Sequence, residues 1–250
     1  MSQPAPLARA TIAQTAVELR LTTRRGENLL AMLGIPAAML LLFGSTKVRP
    51  APASGSRVDV LLPGVLALAI VATGLVNLGI ATAYERSYGV LKRLGGSPLG
   101  RPGLIAAKIL AVLVIELLLL GLLTALAAGV LGWRPSGSVA WPFLIASVGL
   151  GTATFAGLGL AMAGALRAEA TLLLANVLFL LVLAIGGVLI PVGDLPEPMN
   201  QLAALCPPAA LTEALRLALG DGGGAPQAVI VLAAWAVIAV TLAIRTFRWD

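Results

Sequence analysis

Six long apolar runs divide this chain of 250 residues, and they constrain its fold more than any other feature of the sequence. The shortest run has 17 residues and the longest 30, and a helix needs about 20 residues, with a minimum near 17, to cross a bilayer. Leucine, alanine, glycine and valine fill the runs without the alternation of a barrel strand, which favours helices. The sequence therefore predicts an all-α integral membrane protein with one transmembrane domain over 1–250 and six spans, at 28–44, 58–83, 102–131, 139–166, 170–192 and 226–244.

The composition also favours a membrane protein. Hydrophobic residues make up 59% of the chain and charged residues 11%, whereas about a quarter of the residues in an average soluble domain are charged. The formal net charge is +6, and the basic residues flank the apolar runs. Attraction to an anionic membrane surface explains that placement better than nucleic-acid binding does. We therefore expect membrane lipids, and no nucleic acid, among the partners.

The distribution of Lys and Arg predicts the orientation. With six spans both termini lie on one side, and the segments of that side carry twelve Lys and Arg residues against five on the other. Basic residues concentrate on the cytoplasmic side of membrane proteins. The sequence therefore predicts a multi-pass protein of the plasma (inner) membrane with cytoplasmic N- and C-termini.

Several kinds of active site are excluded by missing residues. The chain has no histidine, which excludes a Ser-His-Asp triad and histidine-ligated zinc or haem. Cys206 is the only cysteine, so no intramolecular disulfide can form. None of the three lysines follows a glycine, so a phosphate-binding Gly-Lys-Ser/Thr loop is absent. We expect no catalytic residue, metal site or cofactor in this chain, and any ATP and magnesium would be bound by a partner.

Residues 7–26 are predicted to form an amphipathic helix in the membrane interface. At 100° per residue, an apolar stripe and a polar stripe separate on opposite sides. Three arginines on the flanks can reach lipid phosphates. A disordered basic tail is the alternative. The residues concerned are Ile12, Ala16 and Leu19 (apolar), Gln14, Glu18 and Arg25 (polar), and Arg9, Arg20 and Arg24 (flanking).

A short charged segment, 84–99, separates the second and third runs. If it is helical, Val90, Leu91 and Leu94 fall on one side and most of the charged residues elsewhere. Gly95 and Gly96 would then end the helix. The residues alone allow two interpretations: an amphipathic helix on which a soluble motor could push, or an ordinary positive loop between two spans.

The pattern Glu85-Arg86-x-x-Gly89-x-Leu91-Lys92-Arg93-Leu94, followed by Ser97-Pro98-Leu99, resembles the cytoplasmic coupling helix of ABC-2 type transporter permeases. These are the membrane subunits of ATP-driven exporters, and the coupling helix sits in a cleft of the ATPase subunit. The resemblance implies that Glu85, Arg86, Gly89, Leu91, Lys92 and Leu94 couple the ATPase to the membrane domain. It also implies that Glu85→Ala combined with Leu94→Asp would uncouple ATP hydrolysis from transport.

A second pattern follows the fifth run. Gly186-Gly187-Val188-Leu189-Ile190-Pro191, Leu195-Pro196, Pro207-Pro208 and Glu213-Ala214-x-Arg216 resemble the external hairpin of the same family, in which two short helices re-enter the outer leaflet. Residues 199–205 and 209–219 are too short to span and are separated by two prolines. The resemblance implies an external gate over 193–225, with Pro191, Pro196, Pro207, Pro208 and Arg216 among its residues. Two helices lying on the membrane surface are the alternative.

Polar residues inside the predicted spans are the remaining candidates. Glu116 could contact the substrate path or a subunit interface, it could be a neutral group hydrogen-bonded to a neighbouring helix, or it could lie near a leaflet boundary. Asn77 and Asn176 could likewise face the substrate path or a subunit interface or bond to a neighbouring helix, and we expect interhelical hydrogen bonds for both. Lys108 is expected to extend towards the membrane surface. Residues four apart in the fourth run form a stripe of small side chains that predicts close helix packing: Gly149, Ala153, Gly157, Ala161 and Ala165.

Together the resemblances imply the permease subunit of an ATP-binding cassette exporter of an apolar or amphipathic substrate, such as a drug, an antibiotic or a lipid. Two permeases, identical or paralogous, would face each other above two P-loop ATPase subunits. Three alternatives stay open: an ion-coupled secondary transporter, a non-transporting membrane assembly factor and a membrane-embedded enzyme. The lack of histidine and of paired carboxylates within a span disfavours the enzyme.

Overall fold

The computed structural model describes residues 6–24, 26–45, 56–96, 99–187, 197, 199–220 and 224–249, and within them it contains helices and turns but no strand. A π-helix, Ala72–Leu78, joins α3 to α4 without a break. The α-helices are α1 (Leu7–Thr23), α2 (Gly26–Ser45), α3 (Arg57–Val71), α4 (Gly79–Ser87), α5 (Val90–Leu94), α6 (Gly100–Val130), α7 (Trp141–Ala165), α8 (Ala168–Ile185), α9 (Met199–Ala204), α10 (Pro207–Leu219) and α11 (Pro226–Thr246).

Four helical stretches are long and apolar enough to cross a membrane: Arg57–Ser87, Gly100–Val130, Trp141–Ala165 and Pro226–Thr246. Two shorter apolar helices, Met32–Ser45 and Ala168–Ala184, lie in the first and fifth predicted runs. The all-helical membrane class is thus confirmed, and six spans remain a prediction. The fifth run was expected to continue to residue 192, but α8 ends at Ile185, and Gly187 has a φ of 75° that a helix does not continue through. Residues 188–196 lie outside the described residues.

The long helices run between two ends of the molecule. At one end, which we call the charged end, the C-termini of α4, α7 and α11 meet the N-terminal part of α6. At the other, the opposite end, the connection between α6 and α7 meets the start of α3 and the end of α10. This antiparallel arrangement follows from the short connections in the sequence, such as the two residues between α7 and α8.

The centre of the molecule is the continuous helix Arg57–Ser87. It is the most deeply buried of the four long stretches. Its apolar side chains, among them Leu62, Leu68 and Ile70, form the main hydrophobic cluster with residues of α6, α7 and α10. A helix surrounded on all sides must be apolar all round, which explains why no amphipathic pattern distinguishes this run in the sequence.

Glycines bring α7 close to its neighbours. A Cβ added at Gly157 would lie 2.9 Å from the backbone of Ala239 in α11, and one added at Gly159 would lie 2.6 Å from the carbonyl oxygen of Gly74. The predicted stripe therefore packs against α11 at Gly157, as small residues in membrane helices commonly do. At Gly149, in the same stripe, an added Cβ would meet nothing within 4 Å.

The predicted hairpin of two short helices corresponds to α9 and α10, separated by Leu205 and Cys206. Pro207 and Pro208 occupy the first turn of α10, where a missing N–H costs nothing. The Thr212 hydroxyl donates to the Gly186 carbonyl (3.0 Å), and the Ala140 amide donates to the Ala218 carbonyl (2.9 Å). These bonds fix α10 between the end of α8 and the start of α7.

Candidate functional site

Two helices, rather than one, occupy residues 84–96 of the predicted coupling segment, and its Ser97 and Pro98 lie outside the described residues. Its first residues belong to α4, which continues the central helix to Ser87. Gly89 then adopts a left-handed conformation with a φ of 72°, and α5 begins as a separate turn at Val90. Only glycine takes this conformation without strain. Glu85 and Arg86 therefore end a long helix, while Leu91, Lys92 and Leu94 lie on the short one.

Glu85 makes an internal ion pair. The Nζ of Lys108 in α6 lies 2.7 Å from a carboxylate oxygen of Glu85 and 3.1 Å from one of Glu18 in α1. The Lys108 side chain is only 1% exposed. The expectation that it would extend towards the membrane surface was wrong, because two carboxylates hold it inside. A buried ammonium requires such partners.

Arg86, the next residue, binds the end of another helix. Its guanidinium donates to the Gly164 carbonyl (2.7 Å) and to the Leu166 carbonyl, at the C-terminus of α7. The last carbonyls of a helix have no partner within it, and a cation there also interacts favourably with the helix dipole. We call Glu18, Glu85, Arg86 and Lys108 the charged junction. Glu85 and Arg86 of this junction connect α4 to α1, α6 and α7.

The short helix α5 has a buried side and an exposed side. Leu91 is fully buried in a cluster with residues of α6, α7 and the C-terminal segment. A Cβ added at Gly95 would lie 3.1 Å from the ring of Trp249, which makes an edge-to-face contact with Phe247 (centroids 5.5 Å apart). Val90, Lys92 and Arg93 of α5 face outward, and Tyr88, in the turn before Gly89, is 77% exposed. α5 is thus fixed to the charged end and presents a basic surface next to an exposed aromatic ring.

The N-terminal helix α1 lies along α6 with polar side chains inward. Thr11 and Glu18 are buried, and the Thr15 hydroxyl lies 3.4 Å from the Ala107 carbonyl. Ile12 is 67% exposed, as expected for an apolar stripe facing lipid, whereas Leu19 packs partly against the protein. The predicted division into one apolar and one polar face is therefore only partly right, because Glu18 is needed beside Lys108. The position of α1 in the membrane interface remains a prediction.

A groove of about 590 Å³ opens between α2, the central helix and α8. We call it the inner groove. Its walls include three residues that the sequence singled out, Asn77, Glu85 and Asn176, together with Tyr84 and Tyr88. The prediction of an interhelical hydrogen bond was wrong for Asn176, whose side chain donates to the Leu172 carbonyl of its own helix (2.8 Å).

Glu116 is not in the groove. It is 1% exposed and accepts hydrogen bonds from the hydroxyls of Thr73 (2.5 Å) and Thr152, which lie on the π-helix and α7. This arrangement matches the hypothesis of a carboxyl group bonded to neighbouring helices. The threonines were the signal that sequence analysis missed, because a hydroxyl in a buried helix can serve either its own backbone or a neighbour.

Among the predicted gate residues, Arg216 forms an ion pair with Glu213 (2.6 Å), one turn earlier in α10. Pro207 and Pro208 begin α10, as described above. Pro191 and Pro196 lie outside the described residues.

The charged end joins α1, α4, α6 and α7 by ionic and hydrogen bonds, and the short helix α5 beside it has an exposed side. The described residues contain no group of three or more Cys, Asp or Glu side chains that could hold a metal ion.

Comparison with known proteins gives the family of the chain. The family profile described as ABC-2 type transporter matches residues 10–219, from α1 to the end of α10. No curated protein sequence matches the chain.

Proposed function

Because the chain belongs to the ABC-2 type transporter family and is the membrane component of an ABC-type transporter, we propose that it is the permease subunit of an exporter. It moves an apolar or amphipathic substrate out of the cytoplasm or the inner leaflet, and separate P-loop ATPase subunits bind the ATP and magnesium. Two permeases form the pathway, and each crosses the plasma membrane six times, with α2 and α8 as the first and fifth spans.

The observation that carries the coupling proposal is the placement of Glu85 and Arg86. Both residues end the central helix one turn before the exposed helix α5. Glu85 binds Lys108 of α6, which also binds Glu18 of α1, and Arg86 binds the end of α7. A displacement of α5 by an ATPase is therefore delivered to four helices at once. In this mechanism α5 contacts the ATPase, and the charged junction transmits the displacement of α5 to the other helices.

The inner groove is the part of the chain that best suits a substrate path. Its walls are mostly apolar, and Asn77, Asn176 and two tyrosines add a few polar groups. Binding sites for small amphipathic molecules commonly combine such surfaces. The groove faces the second permease, the hairpin α9–α10 closes the outer end, and Glu116 holds helices together rather than contacting substrate.

A test of ATPase docking needs a substitution outside the charged junction. Glu85→Ala would disturb the charged junction, so its effect would not report on ATPase docking alone. Arg93 is exposed on α5, and Arg167, also exposed, lies at the same end in the turn between α7 and α8. Arg93→Glu and Arg167→Glu therefore form a matched pair of charge reversals.

The experiment is affinity purification of the chain from native membranes in mild detergent, with identification of the proteins that accompany it. We expect a stoichiometric P-loop ATPase with the natural chain and with Arg167→Glu, and its loss with Arg93→Glu. Recovery of the chain alone, correctly inserted in the membrane, would instead favour a secondary transporter or an assembly factor. Equal recovery of the ATPase with Arg93→Glu would exclude α5 as the contact.

A further inference from the structure

A second groove of about 590 Å³ lies at the opposite end of the molecule, between α6 and α7. We call it the outer groove. Its walls come from α3, α6, α7, α10 and the connection 131–140, and they are almost entirely hydrocarbon. Leu117 and Ile145 on its rim are more than half exposed, so the groove opens to the surroundings of the bundle.

The few polar atoms near the outer groove already have partners. The Thr124 hydroxyl donates to the Leu120 carbonyl (2.7 Å), and the indole N–H of Trp133 donates to a carboxylate oxygen of Asp59 (2.8 Å). A ligand in the groove therefore meets methyl groups, methylenes and ring faces. Such a surface favours a hydrocarbon chain.

Two glycines on facing helices leave the groove open. A Cβ added at Gly121 of α6 or at Gly149 of α7 would meet nothing within 4 Å. Elsewhere in α7 the glycines serve close packing, since an added Cβ at Gly157 or Gly159 would collide with another backbone. The space beside Gly121 and Gly149 is thus filled by no other part of the described chain.

The length and the end of the groove indicate which hydrocarbon fits. The stretch of α6 from Leu113 to Thr124 lines it, and eleven residues of helix rise about 16 Å. That is about half of the hydrocarbon thickness of roughly 30 Å, hence one leaflet. At the open end, Arg134 is exposed and stands between two lining residues, Trp133 and Pro135. Tryptophan is enriched at the membrane–water interface, and arginine is among the side chains that anchor a protein there.

We propose that the outer groove is a binding site for one acyl chain of a bilayer phospholipid, whose phosphate is held by Arg134. The bound chain fills the space beside Gly121 and Gly149 and joins α10 to α6 and α7 through Leu215 and Leu219, which also line the groove. The proposal is independent of the exporter function, because it requires only that the chain lies in a membrane.

The test is native mass spectrometry of the full chain, delipidated in detergent and then supplied with dioleoyl phosphatidylglycerol. We expect one retained lipid per chain. Gly121→Leu combined with Gly149→Leu should lower that occupancy about tenfold, because the side chains replace the acyl chain in the groove. Gly121→Ala, whose added methyl group touches no other part of the described chain but takes up space in the groove, serves as a milder variant should the double variant fail to fold, and it should lower occupancy to an intermediate degree.

The matched control is Gly129→Leu, because Gly129 is also in α6, is also open and does not line the groove. It should keep the lipid. Dioleoylglycerol, which lacks the phosphate, and Arg134→Gln should each weaken binding severalfold, while Arg134→Lys should largely preserve it.

Three results would overturn the proposal. The first is undiminished lipid retention in both groove-filling variants. The second is equal loss in Gly129→Leu, which would indicate non-specific adhesion. The third is a natural chain that dimerises without lipid and becomes monomeric when the groove is filled, which would make this surface a contact between two copies.

Discussion

The Nζ of Lys108 lies 2.7 Å from the carboxylate of Glu85, and the two residues come from different helices: Glu85 lies in α4, within the predicted coupling segment, and Lys108 lies in α6, which follows it. The same ammonium lies 3.1 Å from Glu18 in the N-terminal helix. One buried cation therefore organises three segments that are far apart in sequence.

Lys108→Met should lower the stability of the folded chain by about 3 kcal/mol, since it leaves two carboxylates together without their cation. The midpoint of thermal unfolding in detergent measures this. Adding Glu18→Gln and Glu85→Gln to Lys108→Met should restore much of the loss, because no uncompensated charge then remains. An unchanged midpoint in Lys108→Met alone would contradict the importance of the ion pairs.

Glu116→Leu should cost less than Lys108→Met, about 1–2 kcal/mol. Both threonine hydroxyls that donate to Glu116 also lie close to carbonyls of their own helices: Thr73 near Ala69 and Thr152 near Val148. They keep a partner when the carboxyl is removed. Thermal unfolding of Glu116→Leu beside Glu116→Gln checks this, and a loss as large as that of Lys108→Met would be inconsistent with it.

Gly159→Ala should destabilise the protein by about 1–3 kcal/mol, because the new methyl group would press on the Gly74 carbonyl. Gly121→Ala is the comparison, since its methyl group meets nothing within 4 Å and alanine favours helix. Unfolding midpoints of the two variants in the same detergent should therefore move in opposite directions. Similar shifts would mean that the helices near Gly159 separate easily.

Trp249→Ala should loosen α5 without affecting the rest of the bundle. The Trp249 ring lies against Gly95 and Phe247, so its removal exposes one side of the short helix. We expect the amides of 90–96 to exchange hydrogen about tenfold faster, a change of about 1.4 kcal/mol in local opening. Trp141→Ala, at the opposite end, is the control and should leave the exchange rates of these amides unchanged. Unchanged rates in Trp249→Ala would show that the ring contact does not stabilise α5.

Periodicity and length located most of the helices, because unbroken apolar runs have few alternative folds in a membrane. The two short helices after the fifth run were also located, since Pro207 and Pro208 mark where one must end and the next begin. The break at Gly89 was not predicted. A glycine inside a charged segment is compatible with a helix and with a turn, and only tertiary contacts determine which of the two forms.

The partners of the charged residues were harder to predict. Glu85 and Lys108 are 23 positions apart, and Glu18 is 90 positions from Lys108. Sequence patterns report neighbours within a helix, so they could not indicate that Glu18, Glu85 and Lys108 meet, and Lys108 was expected at the membrane surface; the role of Glu85 in contacting an ATPase came from the family resemblance and stays a prediction. The π-helix at Ala72–Leu78 could not be predicted either, because a wider helical turn inside an apolar run requires no particular residue type in the sequence.

The contact between Arg86 and the end of α7 makes the length of one helix depend on the position of another. α7 finishes at Ala165, and the side chain that covers its carbonyls at Gly164 and Leu166 is supplied by α4. If α4 withdraws, those two carbonyls lose their donor and the last turn of α7 is free to unwind. Movement of the central helix is thereby converted into ordering or fraying at the start of the turn that leads to α8.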